Sequence, residues 1–210
     1  MALKYKKLVV GSLKTNCYIL YDVKTNDAII IDPGDDANYI QRIIGDNEFN
    51  IVAIALTHGH FDHMLAVLEL ILAYKVSLLA SKCDEDIINR AKETSEYFTK
   101  VASGPPPAID IDLDELKEIE VGNIHLSVIK TPGHTPGGIS FYDKGSKLLI
   151  VGDVVFKDGV GRTDFKYASY DENIKSIKKI IIFPNDTKVL CGHGDETTVA
   201  DIKKMMQINY

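Results

Sequence analysis

The sequence predicts an α+β protein in which a pair of β-sheets is covered by helices. Short apolar runs rich in β-branched residues recur along the chain, and helix-period patterns lie between some of them. The early runs follow one another with short turns, such as residues 22–27. A strict alternation of strand and helix, which builds a wholly parallel sheet, is therefore not expected.

Each strand is predicted from an apolar run bounded by turn residues. In chain order the expected strands are residues 8–10, 17–21, 28–31, 51–56, 77–80, 125–130, 139–142, 148–151 and 188–191. Helices are predicted where apolar residues recur at spacings of three and four, which places them on one helix face. The expected helices are residues 37–44, 64–74, 174–181 and 197–206. Residues 102–114 contain three consecutive prolines and are expected to form a surface loop.

Length and composition favour one folded domain. The chain has 210 residues, of which 45% are apolar and 26% charged, and this size supports one sizeable core. We therefore expect a single domain over residues 1–210. The net charge of −6 argues against nucleic acid as a partner, since a broad basic face is needed to bind a phosphate backbone.

The cysteines and the apolar segments indicate where the protein resides. Cys17, Cys83 and Cys191 are odd in number and far apart, which fits a reducing compartment. The start, MALKYKKLVV, has no apolar core typical of an export signal. The most apolar stretch, residues 64–73, is interrupted by Glu69 and is about half as long as a membrane span. We expect a cytoplasmic protein without a membrane partner.

The strongest motif is THGHFDH at residues 57–63, directly after the predicted strand 51–56. Side chains two apart at a strand end point to one side, so His58 and His60 can bind one ion. The turn that follows brings Asp62 and His63 towards another. Imidazole and carboxylate are ligands that suit Zn²⁺, Fe²⁺ or Mn²⁺. The motif therefore predicts a metal site, and one loop can serve two ions.

Further ligand types occur later in the chain. His134 and His193 each follow a strand and are flanked by glycine, which allows the backbone to turn sharply and approach a site closely. Asp153 follows the strand 148–151, and a carboxylate can bridge two cations. His125 differs, because it lies inside an alternating strand without a second ligand nearby. We expect it to be a surface residue.

The sequence resembles the metallo-β-lactamase-fold superfamily and, within it, the short glyoxalase II-like (hydroxyacylglutathione hydrolase-like) hydrolases. The resemblance covers nearly the whole chain. It is carried by THGHFDH, NCYIL (16–20), IDPG (31–34), TPGHTPGGISFY (131–142), VGDVVF (151–156), GRTDF (161–165) and GHG (192–194). It implies an αββα four-layer sandwich of two mixed sheets flanked by helices, with two divalent metal ions. Zn²⁺ is favoured, with Fe²⁺ or Mn²⁺ as alternatives.

The resemblance also implies a role for each ligand position. His58, His60 and His134 would hold one ion. The second ion would be held by Asp62, His63 and His193, and Asp153 would bridge the two.

The expected reaction follows from that metal pair. Water between two cations loses a proton near neutral pH, and the same ions polarise a carbonyl and stabilise the oxyanion. Asp62 and Asp153 are assigned to the catalytic set, because Asp153 bridges the ions and Asp62 lies where it could steer the hydroxide. A thioester such as S-lactoylglutathione suits this site, since its thiolate leaves with little need of protonation. We expect a metal-dependent thioesterase acting on a small-molecule thioester or ester.

Specificity is predicted from the loop after Asp153. The resemblance places the GRTDF loop beside the metals, so Arg162 is the candidate for binding a substrate carboxylate. The alternative is a local ion pair between Arg162 and Asp164 that shapes the loop. Long glyoxalase II enzymes carry a C-terminal helical domain that binds glutathione. This chain stops at Tyr210, so we expect a broader thioester or ester substrate.

Two further groups have structural interpretations. Asp32, before Pro33 and Gly34, is expected to bind its own turn amides. Cys17 and Cys191 lie in apolar strands and are expected to be inert core thiols.

Competing functions share the same motif. A mononuclear-iron persulfide dioxygenase or a broad ester or lactone hydrolase on this fold remains an alternative, and metal stoichiometry separates the dioxygenase from a two-metal hydrolase. A flavodiiron-type carrier is disfavoured because that group usually has glutamate where this chain has His60. The acidic balance disfavours a tRNA-processing nuclease. A non-catalytic module is disfavoured because no ligand position is lost.

Overall fold

The computed structural model describes residues 3–101 and 103–209. Met1 and Ala2, which belong to the stretch searched for an export signal, and Ala102, the first residue of the predicted loop, lie outside the described residues. Two six-stranded mixed sheets pack face to face, and helices cover their outer faces. The expected αββα sandwich, the metallo-β-lactamase fold, is confirmed.

The first sheet contains the strands of the N-terminal half in chain order. They are β1 (Leu3–Val10), β2 (Thr15–Asp22), β3 (Asp27–Ile31), β4 (Asn50–Ala55), β5 (Ser77–Ala80) and β6 (Ile111–Asp112). The β1, β2 and β3 strands pair antiparallel, whereas β3 to β6 run parallel. Parallel neighbours need crossover connections, and helices supply them. These helices are α1 (Ala37–Asp46), α2 (Val67–Tyr74), α3 (Glu85–Asn89) and α4 (Ala91–Thr99).

The second sheet contains the strands of the C-terminal half. They are β7 (Glu118–Val121), β8 (Ile124–Lys130), β9 (Ile139–Asp143), β10 (Leu148–Gly152), β13 (Lys188–Cys191) and β14 (Thr197–Thr198). Their spatial order is β14-β13-β10-β9-β8-β7, and only β10 and β13 pair in parallel. A small hairpin of β11 (Val155–Phe156) and β12 (Gly159–Val160) precedes α5 (Tyr170–Ile180). Helix α6 (Val199–Asn209) follows β14.

Alternation along the strands divides the apolar side chains between layers. On β2, Cys17 and Ile19 pack with α1 and α2, whereas Tyr18 and Leu20 pack against the second sheet. On β10 the odd-numbered Leu149 joins the core under α5 and α6. This period-two pattern buries both faces of each sheet.

The structure corrects several boundaries. The helix predicted from Thr197 begins at Val199, because Thr197–Thr198 pair with β13 as an edge strand. The helix predicted from Met64 begins at Val67, after a 3₁₀ turn over Phe61–His63. The loop predicted over 102–114 contains β6, and its Leu113 is fully buried.

Helices α3 and α4 were not predicted. Their buried residues are few, because α3 buries only Ile88 and α4 buries only Ala91 and Ser95. A polar segment with so little apolar periodicity carries a weak helix signal. Within the part of the chain that the structure describes, no helix is both long and apolar enough to cross a membrane.

Candidate metal centre

The predicted ligands lie at one edge of the sandwich. The THGHFDH loop follows β4 of the first sheet. His134, Asp153 and His193 follow β8, β10 and β13 of the second sheet. The two sheets are joined at this edge, where the Asn16 N–H donates to the carbonyl of Gly192 at 2.7 Å. Residues far apart in sequence therefore meet between the sheets.

Three histidines form the first cluster. The Nδ1 atom of His60 lies 3.1 Å from Nε2 of His58 and 3.0 Å from Nε2 of His134. Nitrogen ligands about 2.0–2.1 Å from a tetrahedral ion are about 3.4 Å apart, so the three nitrogens are spaced for one ion. This arrangement matches the first predicted ligand set.

Asp62, His63 and His193 form the second cluster. The Nε2 atom of His193 lies 3.2 Å from Oδ2 of Asp62 and 3.3 Å from Nε2 of His63. His63 Nε2 is 3.8 Å from Asp62 Oδ2. A mixed nitrogen and oxygen set of this kind suits a divalent cation.

The carboxylate of Asp153 lies between the two clusters. Its Oδ2 atom is 3.7 Å from Nε2 of His134 and 3.6 Å from Nε2 of His193. Its Oδ1 atom is 3.6 Å from Nε2 of His63, is buried, and has no hydrogen-bond partner among the described residues. A buried carboxylate oxygen without a donor is unfavourable, and a cation would compensate it. The donor set therefore fits two divalent ions.

Glycine allows the backbone to approach this carboxylate closely. A Cβ atom at Gly192 would lie 2.0 Å from Oδ1 of Asp153 and 2.8 Å from a ring carbon of His63. Gly192, on the N-terminal side of His193, therefore allows the close approach of the backbone that the sequence predicts.

Hydrogen bonds on the outer ring nitrogens orient the histidines. Nδ1–H of His134 donates to the carbonyl of Arg162 at 2.7 Å, and Nδ1–H of His193 donates to the carbonyl of Leu13 at 3.2 Å. A carbonyl can only accept, so Nε2 of each ring carries its lone pair towards the clusters.

Asp32 orients two more of the rings. Its carboxylate accepts hydrogen bonds from the Thr57 N–H at 2.7 Å, the Thr57 hydroxyl at 2.6 Å and His63 Nδ1–H at 3.0 Å. Because the Thr57 hydroxyl donates to Asp32, its oxygen accepts from Nδ1–H of His58 at 3.0 Å. The expectation that Asp32 binds its own turn amides is wrong. Asp32 has a left-handed φ of 52°, and its side chain contacts Thr57 and His63 of the metal loop instead.

The ring of His60 has the opposite orientation to the other histidines of the site, whose Nε2 atoms face the clusters. Its Nδ1 faces the cluster, and its Nε2 lies 2.7 Å from the hydroxyl of Tyr167. Tyr167 lies in the loop after Asp153, close to GRTDF, and was not predicted. An aromatic residue in a loop carried no sequence signal for this contact.

Asp84 was also missed by the sequence analysis. Its carboxylate is buried and accepts from the N–H of Gly59 at 2.8 Å, the N–H of Gly137 at 2.6 Å and the hydroxyl of Thr135 at 2.7 Å. Burial raises its pKa. In the sequence Asp84 stands among other acidic residues, so nothing distinguished it from a solvated helix start.

The two clusters differ in charge without metal. Burial lowers the pKa of His58, and burial together with neighbouring His134 lowers the pKa of His60 to about 3. Both are therefore neutral, as metal ligands must be. For His63, burial lowers the pKa, but Asp153, Asp32 and Asp62 together raise it to about 10. Without metal, His63 of the second cluster is therefore protonated. The aspartates that stabilise this proton would also stabilise a metal cation.

Asp62 is ionised beside that proton. Its burial acts to raise the pKa, but His63 and His193 lower it below its usual range. Its Oδ2 also accepts a hydrogen bond from the Thr15 hydroxyl at 3.3 Å. An ionised carboxylate is the form that can bind a metal.

Arg162 lies beside the clusters and is paired. Its Nε and a terminal nitrogen lie 3.0 and 2.8 Å from the two carboxylate oxygens of Asp164, and its guanidinium stacks 4.7 Å over the ring of Phe165. The ion pair that the sequence left open is present, and Arg162 also lines the cleft beside the clusters.

The remaining histidine and two cysteines lie where the sequence predicts. His125 is 55% exposed and lies away from both clusters. Its Nδ1 is 2.8 Å from Glu118 and 4.0 Å from Glu120, so the expectation that no second ligand lies nearby is wrong. Cys17 and Cys191 are fully buried in strands. Burial raises the pKa of both thiols, which keeps them protonated.

Comparisons with known proteins identify the family of this chain. Residues 10–193 match the family described as the Metallo-beta-lactamase superfamily. The hydroxyacylglutathione hydrolase GloC of Haemophilus influenzae is 32% identical over 203 residues, which cover 93% of this chain and 92% of GloC.

Solved structures are similar over almost the whole chain. The B3 metallo-beta-lactamase BLEG-1 superposes with a TM-score of 0.89 at 31% identity, covering 96% of this chain and 97% of BLEG-1. TTHA1623, solved in a di-iron-bound form, superposes with a TM-score of 0.86 at 27% identity, covering 95% of this chain and 98% of TTHA1623. This chain belongs to the metallo-β-lactamase superfamily, whose members bind divalent metals.

Proposed function

We propose that the protein is a two-metal hydrolase that cleaves a thioester or a related ester. The observation that carries this proposal is the Asp153 carboxylate, which lies within 3.7 Å of a ligand nitrogen in each cluster. The same superfamily includes GloC, a relative of this chain named as a hydroxyacylglutathione hydrolase.

In this proposal the clusters hold one ion each. His58, His60 and His134 would hold the first ion, Asp62, His63 and His193 the second, and Asp153 would bind both. Divalent cations at these positions supply a water of lowered pKa and polarise the scissile carbonyl. We propose zinc as the metal, with iron and manganese as the alternatives to test. The di-iron form of TTHA1623 supports including iron.

The protein's own residues prepare the site. The Asp32–Thr57–His58 chain and the Asp32–His63 hydrogen bond keep two ring nitrogens aimed inward, so little reorganisation is needed during the reaction. Ionised Asp62 offers an acceptor that can orient the proton of a water molecule. No serine or cysteine nucleophile is needed, and the buried thiols of Cys17 and Cys191 take no part.

A thioester is favoured over an ester by the leaving group. A thiolate departs with little need of protonation, whereas an alkoxide needs a proton donor. With a cation in each cluster the imidazoles would be neutral, and the Nδ1–H groups of His63, His134 and His193 already donate to Asp32, the Arg162 carbonyl and the Leu13 carbonyl. None is thereby placed as a dedicated proton donor.

The test is hydrolysis of S-lactoylglutathione, a simple acetyl thioester and the matching oxygen ester by protein loaded with zinc, iron or manganese. His58→Ala is expected to lower kcat/KM by at least 100-fold, and His125→Ala, the surface histidine, to leave it unchanged. Failure of protein holding two ions per chain to cleave any thioester would overturn the proposal. Oxygen uptake with a persulfide by protein holding one iron per chain would replace it with the dioxygenase.

A further inference from the structure

A cleft of about 660 Å³ adjoins the candidate metal centre. His60, Asp62 and Asp153 of the candidate metal centre are among the residues that line it. One wall comes from α3 and α4, and the other comes from the loop that contains Arg162, Phe165 and Tyr167. The cleft is large enough for a substrate several times bigger than an acetyl group.

Both walls present apolar side chains to the cleft. Ile87 of α3 and Phe98 of α4 line one wall, while Phe165 and Tyr167 line the other. Phe98 is 54% exposed and Tyr167 41% exposed. Covering such surface with an apolar group is favourable, because apolar area is removed from water.

The aromatic residues are held in place from behind. Phe98 stacks on Phe61 of the metal loop, with ring centroids 6.0 Å apart and an interplanar angle of 11°. Phe165 stacks on Tyr167 at 5.6 Å and 17°. Because the Tyr167 hydroxyl also lies 2.7 Å from Nε2 of His60, this apolar wall directly adjoins the first cluster. A ligand in the cleft would therefore lie directly beside the reacting atoms.

The cations of the cleft already have partners. Arg162 is paired with Asp164, and Arg90 lies 3.5 Å from Glu93. Both ion pairs are solvent-exposed, and each guanidinium has its charge compensated by a carboxylate next to it. The recognition that this cleft offers is therefore mainly apolar.

We propose that this cleft binds a bulky apolar group, aromatic or branched, attached next to the scissile bond, and that thioesters without such a group are poor substrates. This inference rests on the proposed hydrolysis. The apolar group can lie on the acyl side or on the thiol side of the thioester, and the two sides are distinguished by isomeric substrates.

Binding is tested without turnover. Isothermal titration of the metal-loaded protein compares two thioethers that cannot be hydrolysed, S-(2-phenylethyl)- and S-ethyl-N-acetylcysteamine. The phenylethyl compound is expected to bind at least tenfold more tightly. Equal affinities would overturn the inference.

Variants test whether the residues of the cleft cause the preference for the phenylethyl compound. Phe98→Ala and Ile87→Ala are expected to reduce the preference to less than threefold, whereas Ile182→Ala, an exposed isoleucine outside the cleft, should leave it unchanged. Because Phe98 is more than half exposed, its variant is expected to fold, and circular dichroism checks this. A preference that survives in the Phe98 variant would overturn the inference.

Turnover separates this inference from the proposed function. Phenylacetyl-N-acetylcysteamine and the acetyl thioester of 2-phenylethanethiol report the acyl and thiol sides, each compared with acetyl-N-acetylcysteamine by kcat/KM. Cleavage of all three at equal rates would reject the apolar preference and retain the hydrolase. A thioether preference without cleavage of any thioester would retain the apolar cleft and reject the hydrolase.

Discussion

The carboxylate of Asp84 accepts a hydrogen bond from the main-chain N–H of Gly59, 2.8 Å away, and Gly59 lies between His58 and His60 in the chain. The same carboxylate accepts from Thr135 and Gly137, on the loop that carries His134. Asp84 thus joins the loops that supply all three nitrogens of this cluster.

Asp84→Ala should therefore weaken both folding and metal binding. Three buried donors would lose their acceptor, at about 1–3 kcal/mol for each donor left unsatisfied. We expect the free energy of unfolding of the metal-free protein to fall by at least about 3 kcal/mol in urea titrations. Zinc affinity, measured by competition with a chelator, should also fall.

The adjacent Glu85 provides the control for Asp84, since it is exposed at the start of α3. Glu85→Ala should leave both measurements unchanged. Equal zinc affinity in the Asp84 variant and the wild type would show that Asp84 does not position the cluster.

Thr57→Val should free the ring of His58 and remove one donor from Asp32, the carboxylate that also binds His63. The Thr57 hydroxyl donates a hydrogen bond to Asp32 and accepts one from Nδ1–H of His58. Valine has the same shape as threonine but lacks the hydroxyl. We expect zinc affinity to fall about 10–100-fold, the usual cost of losing such an outer partner. Thr57→Ser keeps the hydroxyl and should retain most of the affinity. A Thr57→Val variant with wild-type affinity would contradict this account of the His58 tautomer.

The metal-free protein should lose stability in mild acid. Burial and His134 lower the pKa of His60 to about 3 in the folded state, from 6.5. The unfolded chain therefore binds a proton that the folded state does not. This stability is present above pH 6.5 and is lost as the pH falls towards about 3, by up to about 1.4 kcal/mol per pH unit.

Urea unfolding at pH 7, 6 and 5 measures this loss. The wild type should decline more steeply than His60→Gln, which cannot bind the proton. Parallel declines in the two proteins would show that His60 is not responsible.

The metal loop illustrates why part of the site could be predicted. His58, His60, Asp62 and His63 lie within one short motif, so local spacing after a strand was enough to group them. Grouping His134, Asp153 and His193 with them required the resemblance to a family, because only the sheet topology brings these positions together.

The supporting residues could not be found in the same way. Asp32, Asp84 and Tyr167 act through hydrogen bonds across loops, with no periodic pattern around them. Their partners are main-chain groups, threonine hydroxyls and ring nitrogens, which come together only after the two sheets have packed. Likewise, α3 and α4 bury too few apolar side chains for a helical pattern to be recognised in the sequence, although residues of both helices line the cleft.

The central claim is that Asp153 and the two clusters hold a pair of ions. Elemental analysis of the purified wild type and of Asp153→Ala, dialysed against buffered zinc, tests it most directly. The account predicts about two zinc ions per folded wild-type chain, and fewer, with loss of thioester hydrolysis, in the variant. Two ions and unchanged hydrolysis in the Asp153 variant would contradict it.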